Sequence, residues 1–504
     1  MAQRVRLPLL AVLLAGPFAL AFKSGGYFDE PRLYAGLAAC ALVVIAAIAS
    51  PRPLPQSRPG RLALAGLAAL AIWVALSITW APLSTPAVAD ADRLLLYLAG
   101  FTAALAVLDA RVAVRALEPA VALGCLLVVG YGLSERVLPG VFELTRDGSA
   151  FGRLSQPISY WNAMGTVAAL GFVLALRVAG DPTRRRWLRV AAAASAAPLG
   201  LGVQLPLSRG ALGALVVGLV LLALLARDRA QLRAFAVMVP AGVIAAVCGS
   251  LLDGVRALAG GLAAREREGA IMLAVLVLLA GACAVAQLRL ARRDPGRAAS
   301  FRPLGRRGRQ LIAAGFAVLV VAAFAVPAVL SERKPKAVPA DVSTSRLTST
   351  ESNRYAYWRV ALDAFAADPL KGTGSGGFQV VWLRERKIPE APRDAHSLYL
   401  ETAAELGLVG LAALALFLGG IGWSAARAYS RDPVAAAGLV AGVAVWAVHA
   451  GLDWLWELPA VSLPVLLLAA GLARTAEAPP DQPPGTGGAI TRSRRSAASA
   501  AAGS

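Results

Sequence analysis

The 504-residue chain has only two histidines, and His396 stands where a long polar stretch changes into an apolar one. An imidazole can take up a proton near neutral pH or donate a hydrogen bond to an anionic group. Asp394 and Ser397 have side chains suited to starting a helix, so His396 is not needed as the cap. A catalytic role and a structural role at the helix start therefore both stay open. His449 lies inside an apolar segment and is expected to be a hydrogen-bonded packing residue.

Arginines form the second group of candidates. Arg209, in "LPLSRGAL", lies in a short turn between two apolar segments, where a lone guanidinium is costly unless an anion meets it. The alternative for this residue is a contact with a lipid phosphate. Arg354 and Arg359 are five residues apart, which places them about 140° apart on a helix, so they cannot easily face the same atom. Arg354 shares its side with Trp358 and is expected to face the protein, whereas Arg359 is expected to face solvent.

Arg346 and Arg393 belong to the same polar stretch, and we include them with Arg359 as candidate substrate-binding residues. The stretch "GTGSGG" (372–377) predicts a flexible turn more strongly than a phosphate-binding loop, because no strand precedes it. Asp90 and Asp92 have a D-x-D spacing that gives only weak support for a metal site.

Asp453 and Glu457 are one helical turn apart and are flanked by tryptophans. They fit an interfacial belt or, alternatively, an acidic contact with the loop arginines or with a sugar hydroxyl.

The elements that must position these residues are apolar. The chain is 58% hydrophobic and 16% charged, which is typical of a polytopic membrane protein. Fourteen segments are long and apolar enough to be candidate membrane spans. They lie at 7–22, 32–49, 62–80, 93–109, 116–133, 161–178, 190–206, 211–226, 234–251, 270–288, 310–330, 400–425, 435–450 and 460–473. The sequence predicts an all-α integral membrane protein with 12 to 14 spans.

A net charge of +20 could suggest nucleic-acid binding, but the arginines are concentrated in every second loop between the apolar segments. This alternation follows the positive-inside rule and predicts that both termini are cytoplasmic. Membrane lipids with anionic headgroups, and not nucleic acid, are the expected partners of this charge. The N-terminal apolar segment resembles a signal peptide, but we interpret it as the first span because many more spans follow.

The predicted organisation has four parts: a helix bundle at 1–330, a large extracytoplasmic loop at 331–399, further spans at 400–475 and a disordered cytoplasmic tail at 476–504.

The large loop is expected to contain an amphipathic helix. Thr348 and Glu351 have capping-box spacing, and an apolar face follows them. That face consists of Tyr355, Trp358, Leu362 and Phe365.

The order of these motifs resembles that of the bacterial O-antigen ligases. His396 and Ser397, followed by nine residues and then by Gly407 and Gly410, are similar to the signature H-[NSQ]-x9-G-x-x-[GTY]. "LSRGAL" resembles the S-R-G turn of that superfamily. "NRYAYWRVALDAFAADPLKGTGSGGF" and "RLSQPISYWNAMG" are similar to two further segments. The resemblance covers roughly residues 150–415.

The resemblance implies a glycosyltransferase of the GT-C type. Such an enzyme transfers a glycan from undecaprenyl diphosphate to a glycan, lipid or protein acceptor on the outer face of the membrane, without a metal or another cofactor. Residue by residue, His396 matches the motif histidine, Arg209 the turn arginine and Arg354 the loop arginine. Gly407 and Gly410 are expected to let the helix after His396 pack closely against a neighbour.

Two other classes of protein fit a chain of this kind. A transporter or flippase for lipid-linked glycans would place ionisable residues at mid-membrane depth around a cavity. A nonenzymatic protein of cell-envelope assembly would leave the histidine and arginines without a role. Because charged residues appear almost entirely in loops and no internal repeat is visible, the sequence favours the enzyme.

Overall fold

The computed structural model describes residues 3–108, 111–145, 148–294 and 352–477, with the single positions 305 and 307. Within these residues the chain forms only helices and turns, as predicted. The α-helices, in chain order, are α1 Gln3–Ala21, α2 Asp29–Ala49, α3 Arg58–Ser77, α4 Ser84–Val107, α5 Arg111–Val137, α6 Trp161–Gly180, α7 Arg186–Ala194, α8 Ala196–Gln204, α9 Arg209–Leu225, α10 Arg229–Leu251, α11 Asp253–Ala257, α12 Leu262–Arg293, α13 Arg354–Ala367, α14 Phe378–Glu385, α15 Leu398–Arg431, α16 Pro433–Ala450 and α17 Pro459–Thr475.

The predicted spans inside the described residues all coincide with these helices, and the span at 190–206 is broken at Ser195 into α7 and α8. Nine of the described helices are long and apolar enough to cross a membrane. The predicted span at 310–330 lies outside the described residues, as do Thr348, Glu351 and Arg346. The protein is therefore a polytopic membrane protein.

Side-chain contacts define two ends of the bundle. We call the end that carries residues 22–28, 352–397 and 451–458 the site end, because Arg354 there contacts Asp453. The other end carries the loops that begin at Ser50, Asp181 and Asp432, among others, and we call it the opposite end.

Close helix contacts depend on glycines in the bundle. Gly66 of α3 faces the backbone of α15, and a Cβ there would lie 2.3 Å from the backbone nitrogen of Phe417. Gly420 of α15 meets the backbone of α3 at Ala63 in the same way, with a distance of 2.3 Å. In a membrane the hydrophobic effect does not drive helices together, because lipid is as apolar as their side chains. Small residues let the helix backbones approach closely enough for van der Waals contacts to hold them.

Charged residues also lie inside the helices, so the expectation that they are almost confined to loops is wrong. Near the opposite end, Arg184 pairs with Glu118 of α5 at 2.7 Å and with Asp181 at 3.3 Å, and Arg177 of α6 lies 3.6 Å from Asp181. Glu118, Asp181 and Arg177 are buried and Arg184 is partly buried, and their opposite charges offset the cost of removing them from water. A hydropathy pattern does not reveal such pairs, because it follows a single segment and does not show which charge of another helix lies opposite.

The described part of the long loop packs on the site end. α13 and α14 form a small apolar core with the start of α15, in which Trp382 is fully buried. The buried face of α13 is centred on Tyr357, Ala361 and Ala364, with Trp358 also buried. Of the predicted face only Trp358 is buried, because the helix is rotated so that Tyr357, Ala361 and Ala364 face the core.

Candidate functional site

His396 lies immediately before α15 and has a left-handed backbone conformation, with φ of 56°. That conformation is uncommon for a residue with a Cβ and persists where surrounding contacts hold it. The His396 carbonyl accepts a hydrogen bond from the Trp358 indole at 3.5 Å. Its ring lies between two aromatic rings, with centroid distances of 5.3 Å to Tyr357 and 6.3 Å to Trp454. The histidine is thus held at a defined height and orientation.

The hydrogen bond of the imidazole determines its tautomer. Nδ1 of His396 lies 3.1 Å from the backbone carbonyl oxygen of Asp394. A carbonyl can only accept, so Nδ1 carries the proton and Nε2 of the neutral ring keeps its lone pair. Burial lowers the pKa of His396 to about 4, and the positive charge of Arg354 acts in the same direction. At neutral pH the ring is therefore a neutral base with Nε2 available to accept a proton.

Arg354 is the first residue of α13 and joins the loop to the bundle. Its Nη2 donates to Oδ2 of Asp453 at 2.8 Å, where the Asp453 side chain is 0% exposed and that of Arg354 is 23% exposed. The hydroxyl of Tyr160 donates to the other Asp453 oxygen at 2.7 Å, and Asn162 donates to that hydroxyl at 2.7 Å. Burial raises the pKa of Asp453, but Arg354 and the nearby histidines outweigh burial and the pKa lies below its ordinary value. Asp453 is therefore an anion that orients Arg354.

Arg209 approaches the same place from α9. It interacts electrostatically with Arg354 and Tyr355. The next residue, Gly210, lies against His449, since a Cβ there would be 2.4 Å from the imidazole Nε2. The positive charge of Arg354 acts unfavourably on that of Arg209, so an anion between the two guanidinium groups would be stabilised by both.

The structure confirms the predicted packing role of His449. Its ring is fully buried, and its Nδ1 lies 2.6 Å from the Thr166 hydroxyl. Nε2 is 3.8 Å from Asp453. His449 therefore supports the Asp453 side of the site from inside the bundle.

A second polar layer lies deeper in the bundle, around a cavity of about 30 Å³ that has room for about one water. Glu457 pairs there with Arg93 of α4, and Asp90 accepts from the Ser375 hydroxyl at 2.6 Å. More carboxylates than one arginine can neutralise meet at this point, and oxygen atoms of three of them lie within 4.8 Å of one another. Burial raises the pKa of Asp394 to about 7, and the charge of Asp90 adds to the effect. The charged members of this layer are Asp90, Arg93, Asp394, Glu401, Glu405 and Glu457.

A break in α15 explains the glycine of the histidine motif. Gly407 has φ of 62° and ψ of −159°, a combination essentially confined to glycine. The amide groups that the break frees, at Leu408 and Val409, donate to the carbonyls of Pro369 at 2.8 Å and Leu370 at 3.3 Å. A Cβ on Gly407 would lie 2.4 Å from the Leu370 carbonyl oxygen. The expectation of close packing holds, but the stronger requirement is the positive φ.

The stretch 372–377 fills this break. The amides of Thr373 and Gly374 donate to the freed carbonyls of Ala404 at 3.0 Å and Glu405 at 2.8 Å. The Glu405 carboxylate in turn accepts from the amides of Gly376 at 2.9 Å and Phe378 at 3.0 Å. Since these amides already have partners, the stretch acts as a structural strap. The interpretation as a flexible turn is wrong.

The start of α15 is capped as predicted. The Ser397 hydroxyl accepts from the Leu400 amide at 3.4 Å, and the Glu401 carboxylate accepts from the Ala395 amide at 2.8 Å. His396 itself takes no part in this capping, which leaves its ring for the site.

The structure brings together some predicted residues and not others. His396, Arg354 and Arg209 share the site. Arg393 lies at its rim, where it donates to the Tyr27 hydroxyl at 3.4 Å. Arg359 lies on the exposed side of α13, as expected, and pairs with Asp363 at 3.9 Å, so its predicted substrate contact stays a prediction.

The acidic residues that are neighbours in the sequence contact different partners in the structure. Asp453 contacts the loop arginine Arg354, as one sequence alternative proposed, whereas Glu457 contacts Arg93. Asp90 bonds to Ser375 while Asp92, two residues further along α4, points about 200° away from it. The pair does not form the D-x-D metal site that was considered.

Sequence reasoning missed several residues that hold the site. They are Tyr160, Asn162 and Thr166 on one side and Tyr357 and Trp454 around the imidazole. The only signal for the first three was the likeness of "RLSQPISYWNAMG" to a family segment, which carried no role for its residues.

One known protein family is similar to part of the chain. Residues 255–415 match the family model described as O-antigen ligase. This segment, about a third of the chain, is therefore similar to the O-antigen ligase family. No curated protein matches the chain. The matched segment includes Arg354, His396, Gly407 and Gly410, whereas Arg209, Tyr160 and Asp453 lie outside it.

The similarity over residues 255–415 favours a membrane enzyme that transfers glycans, with a lipid-linked glycan and an acceptor as its partners in general terms.

Proposed function

We propose that this protein is a GT-C-type glycosyltransferase that takes a glycan from undecaprenyl diphosphate and passes it to an acceptor hydroxyl of a glycan, a lipid or a protein. The observation that carries the proposal is the neutral His396, whose Nε2 is available to accept a proton beside Arg354. A general base and a cationic group are the two functions that this reaction requires.

In the proposed step, Nε2 of His396 accepts the proton of the acceptor hydroxyl as its oxygen attacks the anomeric carbon. The bond from that carbon to the diphosphate oxygen breaks, and its electron pair leaves with the diphosphate. Arg354 and Arg209 stabilise the charge that develops on the leaving group, and Asp453 keeps Arg354 oriented towards it. Because arginines supply the positive charge, we expect transfer to continue in the presence of a chelator.

We propose that the site end lies on the outer face of the cytoplasmic membrane and that both termini are cytoplasmic. Arginine-rich segments formed by loops and the first turns of the following helices, including 183–189 and 227–233, lie at the opposite end. Cytoplasmic loops carry such an excess of basic residues. The undecaprenyl diphosphate headgroup would then meet His396 at the outer membrane surface.

The proposal is tested with purified protein in lipid nanodiscs and a fluorescent glycan linked to undecaprenyl diphosphate. His396→Ala should reduce release of undecaprenyl diphosphate by about 100- to 10,000-fold, because the general base is removed. The matched control is Lys387→Ala, an exposed cation of the same loop, which should retain the wild-type rate. Thermal unfolding of both variants confirms that each is folded.

Normal transfer by His396→Ala would refute the role of this residue. Loss of transfer in chelator would refute the metal-independent reaction. Movement of the intact donor between leaflets of proteoliposomes, without glycan transfer, would support a flippase instead.

A further inference from the structure

An apolar groove opens along the bundle between α1 and α2. α1 packs mainly against α17 and α5, whereas α2 packs mainly against α4, so the two helices diverge. The floor of the groove consists of Leu96 and Gly100 of α4 and Leu463 and Leu467 of α17. Its volume is about 520 Å³, which lies in the usual range of ligand pockets, about 300–1,000 Å³.

Small residues on both walls keep the groove open. Gly16 and Ala19 line it on α1, and Ala35 and Ala38 line it on α2. A Cβ added at Gly16 would meet no atom within 4 Å. The lining is almost wholly apolar, so its natural occupant is a hydrocarbon chain.

The length and position of the groove match one half of a membrane. On α2 it runs from Glu30 to Leu42, which corresponds to about 18 Å of helix, just over half of a hydrocarbon core of about 30 Å. Its charged lining residues, Lys23 and Glu30, both lie at the site end. A lipid in this groove would therefore place its headgroup at the site end and its chain towards the centre of the bilayer.

The mouth of the groove leads to the candidate site. Tyr27, four residues after Lys23, packs edge to face against Trp454 with a centroid distance of 5.5 Å, and Trp454 contacts His396 at 6.3 Å. Arg393 donates to the Tyr27 hydroxyl at 3.4 Å on the same side. Two ring contacts thus connect Tyr27, which follows the groove residue Lys23 closely in the chain, to His396.

We infer that this groove binds the polyprenyl chain of the donor, an inference that rests on the proposed function. A single chain fits a cleft bordered by one helix on each side, and its diphosphate would leave the mouth beside Lys23 and Tyr27 towards Arg393 and His396. The groove fixes the lipid so that the anomeric carbon is presented at the same depth in each turnover. The remaining isoprene units continue into the bilayer.

The test uses a benzophenone-bearing polyprenyl diphosphate without a glycan, bound to the full-length protein in nanodiscs. Cross-links should map to the residues of α1 and α2 that line the groove. Gly16→Phe should reduce labelling at least about tenfold, because it fills the space that the chain occupies. Gly36→Phe is the matched control, since Gly36 lies on α2 in open space and does not line the groove, and it should retain wild-type labelling.

Competition identifies the occupant. Unlabelled polyprenyl diphosphate should displace the probe, and phosphatidylglycerol at the same mole fraction should not. Labelling spread evenly around the bundle, or equal displacement by phosphatidylglycerol, would overturn the inference because the groove would then hold ordinary membrane lipid. Ala38→Phe, which fills the same space from α2, replaces Gly16→Phe if that variant does not fold.

Kinetics separate this inference from the proposed function. Gly16→Phe should raise KM at least about tenfold for a long-chain donor and leave KM unchanged for a donor with two isoprene units, which is too short to fill the groove. If no donor is turned over but the groove is still labelled, the proposed function fails and the lipid site stands. If transfer proceeds normally but KM does not depend on chain length, the lipid site fails alone.

Discussion

Protonation of His396 is the sharpest test of the proposed chemistry. Burial and Arg354 hold its pKa at about 4, compared with an ordinary value of 6.5. At pH 5.5 a histidine with a pKa of about 4 is about 97% neutral, whereas one with a pKa of about 6.5 is about 9% neutral. Lowering the pH from about 7.5 to about 5.5 should therefore leave kcat/KM almost unchanged. A histidine with the ordinary pKa would instead cause a roughly tenfold decrease.

The assay measures kcat/KM for glycan transfer between about pH 4.5 and pH 8 in nanodiscs. A tenfold decrease with a midpoint near 6.5 would show that the imidazole is solvated, and it would refute the argument that burial keeps it neutral.

Protein stability must be followed in the same experiment. The folded state keeps His396 neutral between its folded pKa of about 4 and the ordinary value of 6.5, while the unfolded state takes up a proton. The free energy of unfolding should therefore decrease as the pH falls below about 6.5. The decrease due to His396 is complete near pH 4 and amounts to about 3 kcal/mol. Thermal unfolding at each pH separates this loss from loss of the base.

Two further predictions concern the residues that hold the site. Gly407→Ala should cost about 1–3 kcal/mol from backbone strain alone and reduce transfer by shifting the start of α15, whereas Gly419→Ala on the same helix, in open space, should do neither. Thermal unfolding and transfer rates measure both effects, and a stable, active Gly407→Ala would contradict the assigned break. Arg354→Gln should reduce transfer about 100- to 1,000-fold and destabilise the protein by about 3–5 kcal/mol, because Asp453 loses its cation. The double variant with Asp453→Asn should regain stability but not transfer, and recovery of transfer would show that Arg354 is only structural.

The histidine motif shows how far local sequence carried the prediction. The position of His396 at the start of a helix and the capping role of Ser397 both followed from residue types and spacing, and the structure agrees with them. The prediction that Arg354 faces the protein was also correct, because helical spacing places it on the same side as Trp358. Gly407 was assigned to helix packing, since no local pattern distinguishes a packing glycine from one with a positive φ.

The charged residues show where local sequence was insufficient. Arg359 and Arg393 belong to the same basic stretch as Arg354, yet one faces away with Asp363 and the other reaches Tyr27 at the rim. The sequence did not predict the buried layer that includes Arg93 and Glu457, because these two residues are 364 positions apart in the chain. Their pairing depends on how α4 and the segment after α16 are rotated.

The sequence by itself determined the membrane-embedded helices, because hydrophobic length and the spacing of charges act within a single helix and its flanking loops. It also indicated the similarity to the O-antigen ligases through a histidine motif that spans only 15 residues. The tertiary structure alone decided that Arg354 meets Asp453 across 99 residues and that Tyr160 meets the same carboxylate across 293. Such contacts require separate helices to share a depth and a rotation, and these are set by side-chain packing between helices and not by the pattern of any one of them.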